Sequence, residues 1–488
     1  MRWVYHKEDY LLLIRELAIL LIIVSFLLLV PLIFAFIYGE SATYRPFLIS
    51  SAVSAVAGTI LRFVPTEAHF ERKHAIGLVV TSWPVVSLPS ALPFYLSGTA
   101  PTYLDAFFEA ISGWTTTGLT TIGGNADLFY HSINFWRNFM QYAGGLGIII
   151  MGIIVLVPLR DWETTSELAV AAGRKYRIVP SLRNTIKIIA LMYLGLLGIS
   201  TVLFYLAGMG PFDAVNHAMA GLSTGGFSTR GGSLGAYGSN LITVVSLPVM
   251  ILGNTNFVLI YFLLTKRWKK YLDDVETKVF WITFIVLNAI LIFWFASRGV
   301  GYSNSLDVIF MITSALTTTG WSTVPAAAVF LQWAPLALMF IIIAMLFGAN
   351  SSSTGGGIKA FRVGLMAKSI IWRIEKVVLP DSVVLKRRYT HLKNKMINDD
   401  EINHLYTFIT IYFIVLISSF FIFIIFGHPI LTSFYEVTSA IGTVGLSSGL
   451  TNTALNPVLK IILCINMWLG RIEVLPLLYF IGYVKGRS

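Results

Sequence analysis

Four short stretches of this 488-residue chain repeat one pattern of polar, flexible residues: TTTGLTT (Thr115–Thr121), STGGFST (Ser223–Thr229), TTTGWST (Thr317–Thr323) and GTVGLSS (Gly442–Ser448). Aligned, they place Gly118, Gly226, Gly320 and Gly445 at one position, with Thr116, Thr224, Thr318 and Thr443 two residues earlier. Glycine reaches backbone angles closed to other residues and can turn carbonyl oxygens to one side, while threonine adds a hydroxyl. Such oxygens, brought by four loops to a common axis, can replace the water shell of a dehydrated monovalent cation. The candidate ligands are Thr116, Thr117 and Gly118; Thr224, Gly225 and Gly226; Thr318, Thr319 and Gly320; and Thr443, Val444 and Gly445. A ring of carboxylates, the device suited to divalent ions, is missing from the loops. Glu109 and Glu436, each nine residues before its glycine, belong to the preceding helices, either bracing the loops or making helix contacts only.

The elements that must position these loops are legible around them. Asp105, Asp213 and Asp307 each stand 13 residues before their glycine, and Thr102, Gly210 and Asn304 stand three residues before each Asp. TYLD and NSLD read as capping boxes with Asp in the acidic slot, and GPFD puts Pro211 at the first helical position. The fourth copy has Thr432 and Pro429 at these places. Each copy predicts a helix of about 12 residues, about 18 Å long and so half a bilayer. Long apolar runs flank every copy. The chain is 56% hydrophobic and 12% charged, about half the charged share of an ordinary soluble protein. The fold class expected is an all-α polytopic membrane protein: four fused span–pore-helix–span units around a pseudo-fourfold pore, preceded by an extra N-terminal helix pair (Leu11–Tyr38 and Phe47–Val64). That makes ten full spans and four half-helices, divided as residues 1–72, 73–160, 161–265, 266–379 and 380–488. Leu17–Tyr38 is too long for a signal peptide and reads as a retained helix.

The net charge of +11 does not point to nucleic acid. Lys and Arg cluster in Arg160–Lys187, Lys266–Lys278 and Lys359–Lys395 and are absent from Thr99–Ile133 and Gly427–Leu459. The basic connections therefore read as cytoplasmic, the Thr/Gly loops as outward-facing and both termini as cytoplasmic. The single cysteine, Cys464, excludes an intrachain disulfide and reads as a packing residue.

The third unit's second span is interrupted by Gly348, Ala349, Asn350, Ser351, Ser352, Ser353, Thr354, Gly355, Gly356 and Gly357. Serine, threonine and glycine at this density predict unwound backbone. The alternative is a cytoplasmic linker. In the fourth unit Arg471 stands mid-span, where a charge needs a cavity and a partner. Glu473, two residues on, points elsewhere on a helix, so the carbonyls of Gly348–Gly357 are the better partners. On the residues alone Arg471 reads as a structural tie between helices.

The fourth loop's TVG (Thr443–Gly445) reproduces the core of the potassium-channel filter TVGYG. Four fused units with one filter glycine each resemble the TrkH/KtrB/HKT superfamily of potassium translocating proteins from about Lys73 onward, and the extra N-terminal helices are most similar to its TrkH branch. In that superfamily a serine at the first filter glycine goes with sodium permeation. Glycine at all four positions therefore implies potassium selectivity, with K+ as the substrate bound at the filter residues and no cofactor in this chain. The resemblance further implies that Gly348–Gly357 gates the pore with Arg471 close by, that the chain sits in lipid of the cell membrane as a homodimer, and that a cytosolic TrkA-type nucleotide-binding ring docks on its inner face. RKYR (Arg174–Arg177), KRWKK (Lys266–Lys270) and KRR (Lys386–Arg388) offer basic docking sites there, or serve topology and anionic lipid alone. Symport of potassium with sodium or protons remains the alternative, although four repeats in one orientation with carboxylate-free loops favour a continuous pore. An enzyme is not expected: His217, His404 and His428 are scattered, GLSTG (Gly221–Gly225) only mimics a hydrolase elbow, and GGGIK lacks the glycine a P-loop needs before its Lys.

Overall fold

In the computed structural model, which describes residues 4–154, 182–297, 305–333, 335–380 and 387–486, four half-length helices of 12 residues each carry the repeated loops at their C-terminal ends. The N-terminal extension comprises α1 (Lys7–Leu27), α2 (Pro31–Ile37) and α3 (Ser41–Arg62). Unit 1 has α4 (Arg72–Leu96), pore helix α5 (Tyr103–Trp114) and α6 (His131–Ile154). Unit 2 has α7 (Leu182–Leu206), pore helix α8 (Pro211–Leu222), α9 (Asn240–Asn254) and α10 (Phe257–Leu264), followed by the short α11 (Trp268–Leu272). Unit 3 has α12 (Val275–Ser297), pore helix α13 (Ser305–Leu316), α14 (Ala326–Gln332), α15 (Pro335–Leu346) and α16 (Ala360–Val378). A hairpin, β1 (Arg388–His391) with β2 (Lys393–Met396), precedes unit 4: α17 (Asp399–Ile425), pore helix α18 (Ile430–Ile441), α19 (Pro457–Ile472) and α20 (Leu475–Lys485). The RKYR cluster, Asn304 and Lys386 lie outside the described residues.

The units close into a ring. The second span of each packs on the pore helix of the next: α6 on α8, α9 on α13, α15 on α18, and α19 back on α5. Among the described residues six helices are long and apolar enough to cross a membrane. The pairs α9–α10 and α19–α20, bent by 112° and 95°, bring this to eight. The remaining places of the ten-span scheme fall to α6 and to the short α15.

Close approach within the ring is made by glycine. A side chain on Gly144 of α6 would lie 2.2 Å from the Trp114 carbonyl oxygen, one on Gly253 of α9 2.6 Å from Leu222, and one on Gly470 of α19 2.0 Å from Ile441. Each glycine thus seats its span against the last turn of its own unit's pore helix, which accounts for these glycines in three otherwise apolar spans. In the extension a small-residue stripe does similar work: the Ser51 and Ser54 hydroxyls of α3 donate to the Ser25 and Leu21 carbonyls of α1, both at 2.7 Å. Asp9 fastens the extension to unit 1 through Lys73 (2.8 Å) and His74 (2.7 Å), all three buried.

The pore-helix starts agree with expectation in position and differ in chemistry. Thr102 caps α5, accepting from the Asp105 N–H at 3.1 Å. The Asp105 carboxylate takes the Thr102 hydroxyl (2.6 Å) and the Lys460 ammonium of unit 4 (2.6 Å) instead of the capping residue's own N–H. Asp213 closes no box: it accepts from the Thr229 hydroxyl (2.7 Å) and Arg230 (3.2 Å), bracing the outer side of its loop. The fourth helix starts in register behind Pro429 despite its different residues.

Overpacking a tight contact costs about 1–3 kcal/mol. Gly470→Leu should therefore lower the thermal unfolding midpoint of the detergent-solubilised protein, whereas Gly482→Leu, with open space around it, should leave the midpoint unchanged.

Candidate functional site

Each pore helix ends in one hydrogen-bond pattern. The N–H of the residue before the filter glycine returns to the carbonyl five residues back: Thr117 to Ser112 (2.9 Å), Gly225 to Ala220 (2.8 Å), Thr319 to Ser314 (2.9 Å) and Val444 to Ser439 (2.9 Å). The preceding threonine N–H closes a second bond, to the carbonyl three residues back: Thr116 to Gly113, Thr224 to Gly221, Thr318 to Ala315 and Thr443 to Ala440, at 3.0–3.1 Å. These two bonds form the Schellman C-terminus, which requires a left-handed residue at its turn. Here that residue is threonine, at φ 52°, 50°, 54° and 48° for Thr116, Thr224, Thr318 and Thr443. The filter glycines follow at φ 88°, 77°, 84° and 97°. A β-branched residue with positive φ is strained by about 1–3 kcal/mol, and four at equivalent positions mark a designed feature.

The glycines define the axis. A side chain on Gly118 would sit 2.1 Å from the Gly225 carbonyl oxygen, one on Gly226 1.9 Å from Thr319, one on Gly320 2.1 Å from Val444, and one on Gly445 2.3 Å from Thr117. Each filter glycine thus touches the carbonyl preceding the next unit's filter glycine, and the fourth returns to the first. Eight of the twelve sequence-predicted residues make this closed ring, and the other four, Thr116, Thr224, Thr318 and Thr443, are the left-handed threonines two residues before each glycine.

Below it, the backbone unwinds from Phe347 to Lys359, between α15 and α16. The four left-handed threonines face the middle of this loop. Thr116 donates to the Thr354 carbonyl (3.3 Å), the Thr224 hydroxyl meets the Thr354 hydroxyl (3.2 Å), and Thr318 accepts from the Gly356 N–H (3.2 Å). A side chain on Gly356 would lie 1.9 Å from the Thr443 hydroxyl. Thr354, Gly355 and Gly356 therefore stand directly against the inner end of the filter. Gly348–Ser353 and Gly357 form the loop's flanks, tied down by the Asn350 N–H on Asn254 (3.2 Å), the Ser351 N–H on Glu276 (2.7 Å) and the Ala349 N–H on the Gly356 carbonyl (3.1 Å). Arg471 donates to the Thr354 carbonyl and, at 3.2 Å, to the Gly144 carbonyl. The carbonyl partner expected from the sequence is thus present, and the poor local partner Glu473 instead pairs with Arg362 of α16 at 2.5 Å.

A buried frame holds the loops. Glu109 accepts from the Thr120 hydroxyl (2.8 Å) and Arg137 (2.6 Å). Glu436 accepts from the Ser447 hydroxyl (2.8 Å), the Ser448 N–H (2.7 Å) and the Thr451 hydroxyl. Both glutamates brace their loops. Unit 2 has His217 at this position, meeting the Ser228 hydroxyl at 2.9 Å. Sequence reasoning missed two residues of α6. Arg137 crosses from Glu109 to the Ser228 carbonyl (3.0 Å) of the next loop, and Gln141 donates to the Gly225 carbonyl (2.6 Å) and accepts from the Phe227 N–H (3.1 Å). The available signal was an Arg and a Gln four apart on one face of a spanning helix.

A family model described as cation transport protein, TrkH, matches residues 44–482. The chain belongs to the TrkH family. It is 32% identical over 480 residues to the Trk system potassium uptake protein TrkH of Escherichia coli, covering 95% of this chain and 96% of that one. It is 31% identical over 463 residues to an uncharacterised cation transporter of Methanocaldococcus jannaschii, covering 93% and 92%. The crystal structure of the potassium transporter TrkH from Vibrio parahaemolyticus superposes with a TM-score of 0.84 at 26% identity, over 96% of this chain and 98% of that one. The all-α, multi-pass membrane architecture is therefore that of the TrkH family, with the hairpin of β1 and β2 as its one sheet element among the described residues.

No side chain fits at the four glycines without moving a carbonyl of the ring. Serine at Gly118, Gly226, Gly320 or Gly445 should reduce discrimination between potassium and sodium, read as a shift of reversal potential in mixed solutions. Gly195→Ser, in open space, should not.

Proposed function

We propose that this chain is the potassium-conducting subunit of a Trk-type uptake system, and that the loop Phe347–Lys359 is its gate. The single observation that carries the reading is the closed cycle of glycines and carbonyls. It supplies a ring of uncharged oxygens at membrane depth, which suits a dehydrated monovalent cation and offers no carboxylate to a divalent one. Potassium is the ion named for the relatives from Escherichia coli and Vibrio parahaemolyticus. The role is transport rather than catalysis, and K+ is the substrate.

The contacts of the loop with the threonines, with Arg471 and with Asn254 support a gate. The loop meets three of the filter threonines by hydrogen bond and approaches the fourth at Gly356. Arg471 adds a guanidinium on the same Thr354 carbonyl, and a fixed positive charge beside a cation path is an electrostatic barrier. The break between α9 and α10 turns Asn254 into an anchor for the flank of the loop.

The chain lies in the cell membrane with basic connections and both termini in the cytoplasm, assembles as a homodimer, and is regulated by a cytosolic nucleotide-binding ring of the TrkA type. The hairpin provides a route for that regulation. His391 at its turn meets the Ser351 hydroxyl of the loop at 3.4 Å, and the neighbouring Leu392 N–H donates to Asp274 at 2.6 Å. Arg387 pairs with Asp399, which leaves Arg388 as the exposed cation of the KRR cluster among the described residues.

A hydrogen bond from a charged donor contributes about 1.5–3 kcal/mol, so Arg471→Ala should raise basal rubidium flux into liposomes by about ten- to a hundredfold. Unchanged flux through folded, inserted protein would remove the loop as the barrier. Reversing Lys386, Arg387 and Arg388 to Glu should weaken co-purification of the cytosolic ring and uncouple flux from nucleotide. Binding and regulation that survive this, and survive reversal at Lys266–Lys270, would reduce the basic connections to topology signals.

A further inference from the structure

Beside the loop, three residues from two distant parts of the chain converge. Asp274 and Glu276 stand at the start of α12, and His391 stands at the end of β1, more than a hundred residues later. One donor atom from each lies within 4.8 Å of the other two. The His391 Nδ1 is 3.2 Å from Asp274 Oδ2 and 4.0 Å from Glu276 Oε2. All three are buried, Asp274 and Glu276 completely.

With both carboxylates ionised, the charges of this cluster do not balance. Among the described residues the ion pairs of Asp274 and Glu276 run only to His391. One imidazole, even protonated, offers a single positive charge to two carboxylates taken fully out of water, and such burial is expensive unless compensated. A divalent cation with a neutral imidazole balances the pair. The donor set also suits a borderline metal: one nitrogen and two carboxylate oxygens leave a fourth position open. Bonds of about 2.0–2.2 Å in tetrahedral geometry require donors about 3.4 Å apart, so donors already within 4.8 Å of one another need close by no more than about 1.4 Å to complete the site. The supports of a metal site are in place too. The other imidazole nitrogen, Nε2, faces the Ser351 hydroxyl at 3.4 Å. Asp274 is held by the Glu276 and Leu392 N–H groups at 2.9 and 2.6 Å, and Glu276 by the Ser351 N–H at 2.7 Å and Asn256 Nδ2 at 3.3 Å.

We propose that Asp274, Glu276 and His391 bind a divalent transition-metal ion of the zinc class, which clamps the β1–β2 hairpin and α12 to the flank of the loop at Ser351. Metal binding stands independently of the gate reading. Its effect on flux rests on that reading: a clamp on Ser351 holds Thr354–Gly356 beneath the filter.

The test uses the full chain in detergent, incubated with zinc, desalted and assayed for metal, with cobalt(II) absorption as a second probe of coordination. Wild type should retain zinc stoichiometrically and give the visible bands of tetrahedral cobalt. His391→Gln, on a hairpin turn, should weaken zinc binding by about tenfold or more, and His391→Cys should restore it. No retained zinc, or equal retention by His391→Gln, would overturn the proposal. So would a thermal midpoint that responds to pH and ignores zinc, since a proton would then be the balancing charge. In liposomes zinc should lower rubidium flux of wild type and leave that of His391→Gln unchanged. Binding without any effect on flux would keep the metal site and count against the gate.

Discussion

A helix that stops inside a membrane leaves carbonyl groups without partners, and everything else in this protein follows from how that constraint is met. The four pore helices end in Schellman turns that use the N–H groups of the last residues and leave the following carbonyls outside the helical hydrogen-bond ladder. In lipid those carbonyls would be intolerable, and they are acceptable only against protein or a polar path. The ring sets each of them against the glycine of a neighbouring unit. Glycine at its centre is required by contact as much as by backbone angle, because each glycine abuts the carbonyl of the next unit. The strain of left-handed threonine is held in place by the same enclosure, and it sets the hydroxyls against the loop beneath.

The ring is built from repeats that have diverged where divergence is useful. The outer halves remain alike: 12-residue helices, equivalent turns and cyclic packing. The inner halves differ. The second span of unit 1 continues as one helix to Ile154, those of units 2 and 4 bend sharply, and that of unit 3 unwinds. The bend in unit 2 frees Asn254 and Asn256 to hold the loop and Glu276. The bend in unit 4 falls at Glu473 and Val474, both at positive φ, and leaves Arg471 on the loop while Glu473 turns to Arg362. A symmetric ring of loops thus sits above an asymmetric floor.

Much of this was legible because it is local. Repeat spacing gave the pore helices, Gly/Thr composition gave the turns, and a lone Arg471 in apolar sequence announced a buried carbonyl partner. What was illegible depends on a second unit. Arg137 and Gln141 matter because the loop of unit 2 passes beside α6, and no local pattern reports that. Asp105 and Asp213 share a register but have different partners, since Lys460 reaches one and Arg230 the other. The break at Glu473–Val474 carries no glycine at its left-handed turn, and Pro476 two residues on was its one local signal. The β1–β2 hairpin is short and charged, and its His391 gains meaning only beside Asp274 and Glu276.

The central claim is that the four loops bind a dehydrated monovalent cation on one axis. Anomalous scattering from crystals grown in potassium and exchanged into thallium or rubidium tests it most directly. A peak is expected on the axis enclosed by the carbonyls of Thr117, Gly225, Thr319 and Val444, retained in rubidium and lost when sodium replaces it. An empty ring in thallium, or ion density only outside the four loops, would contradict it.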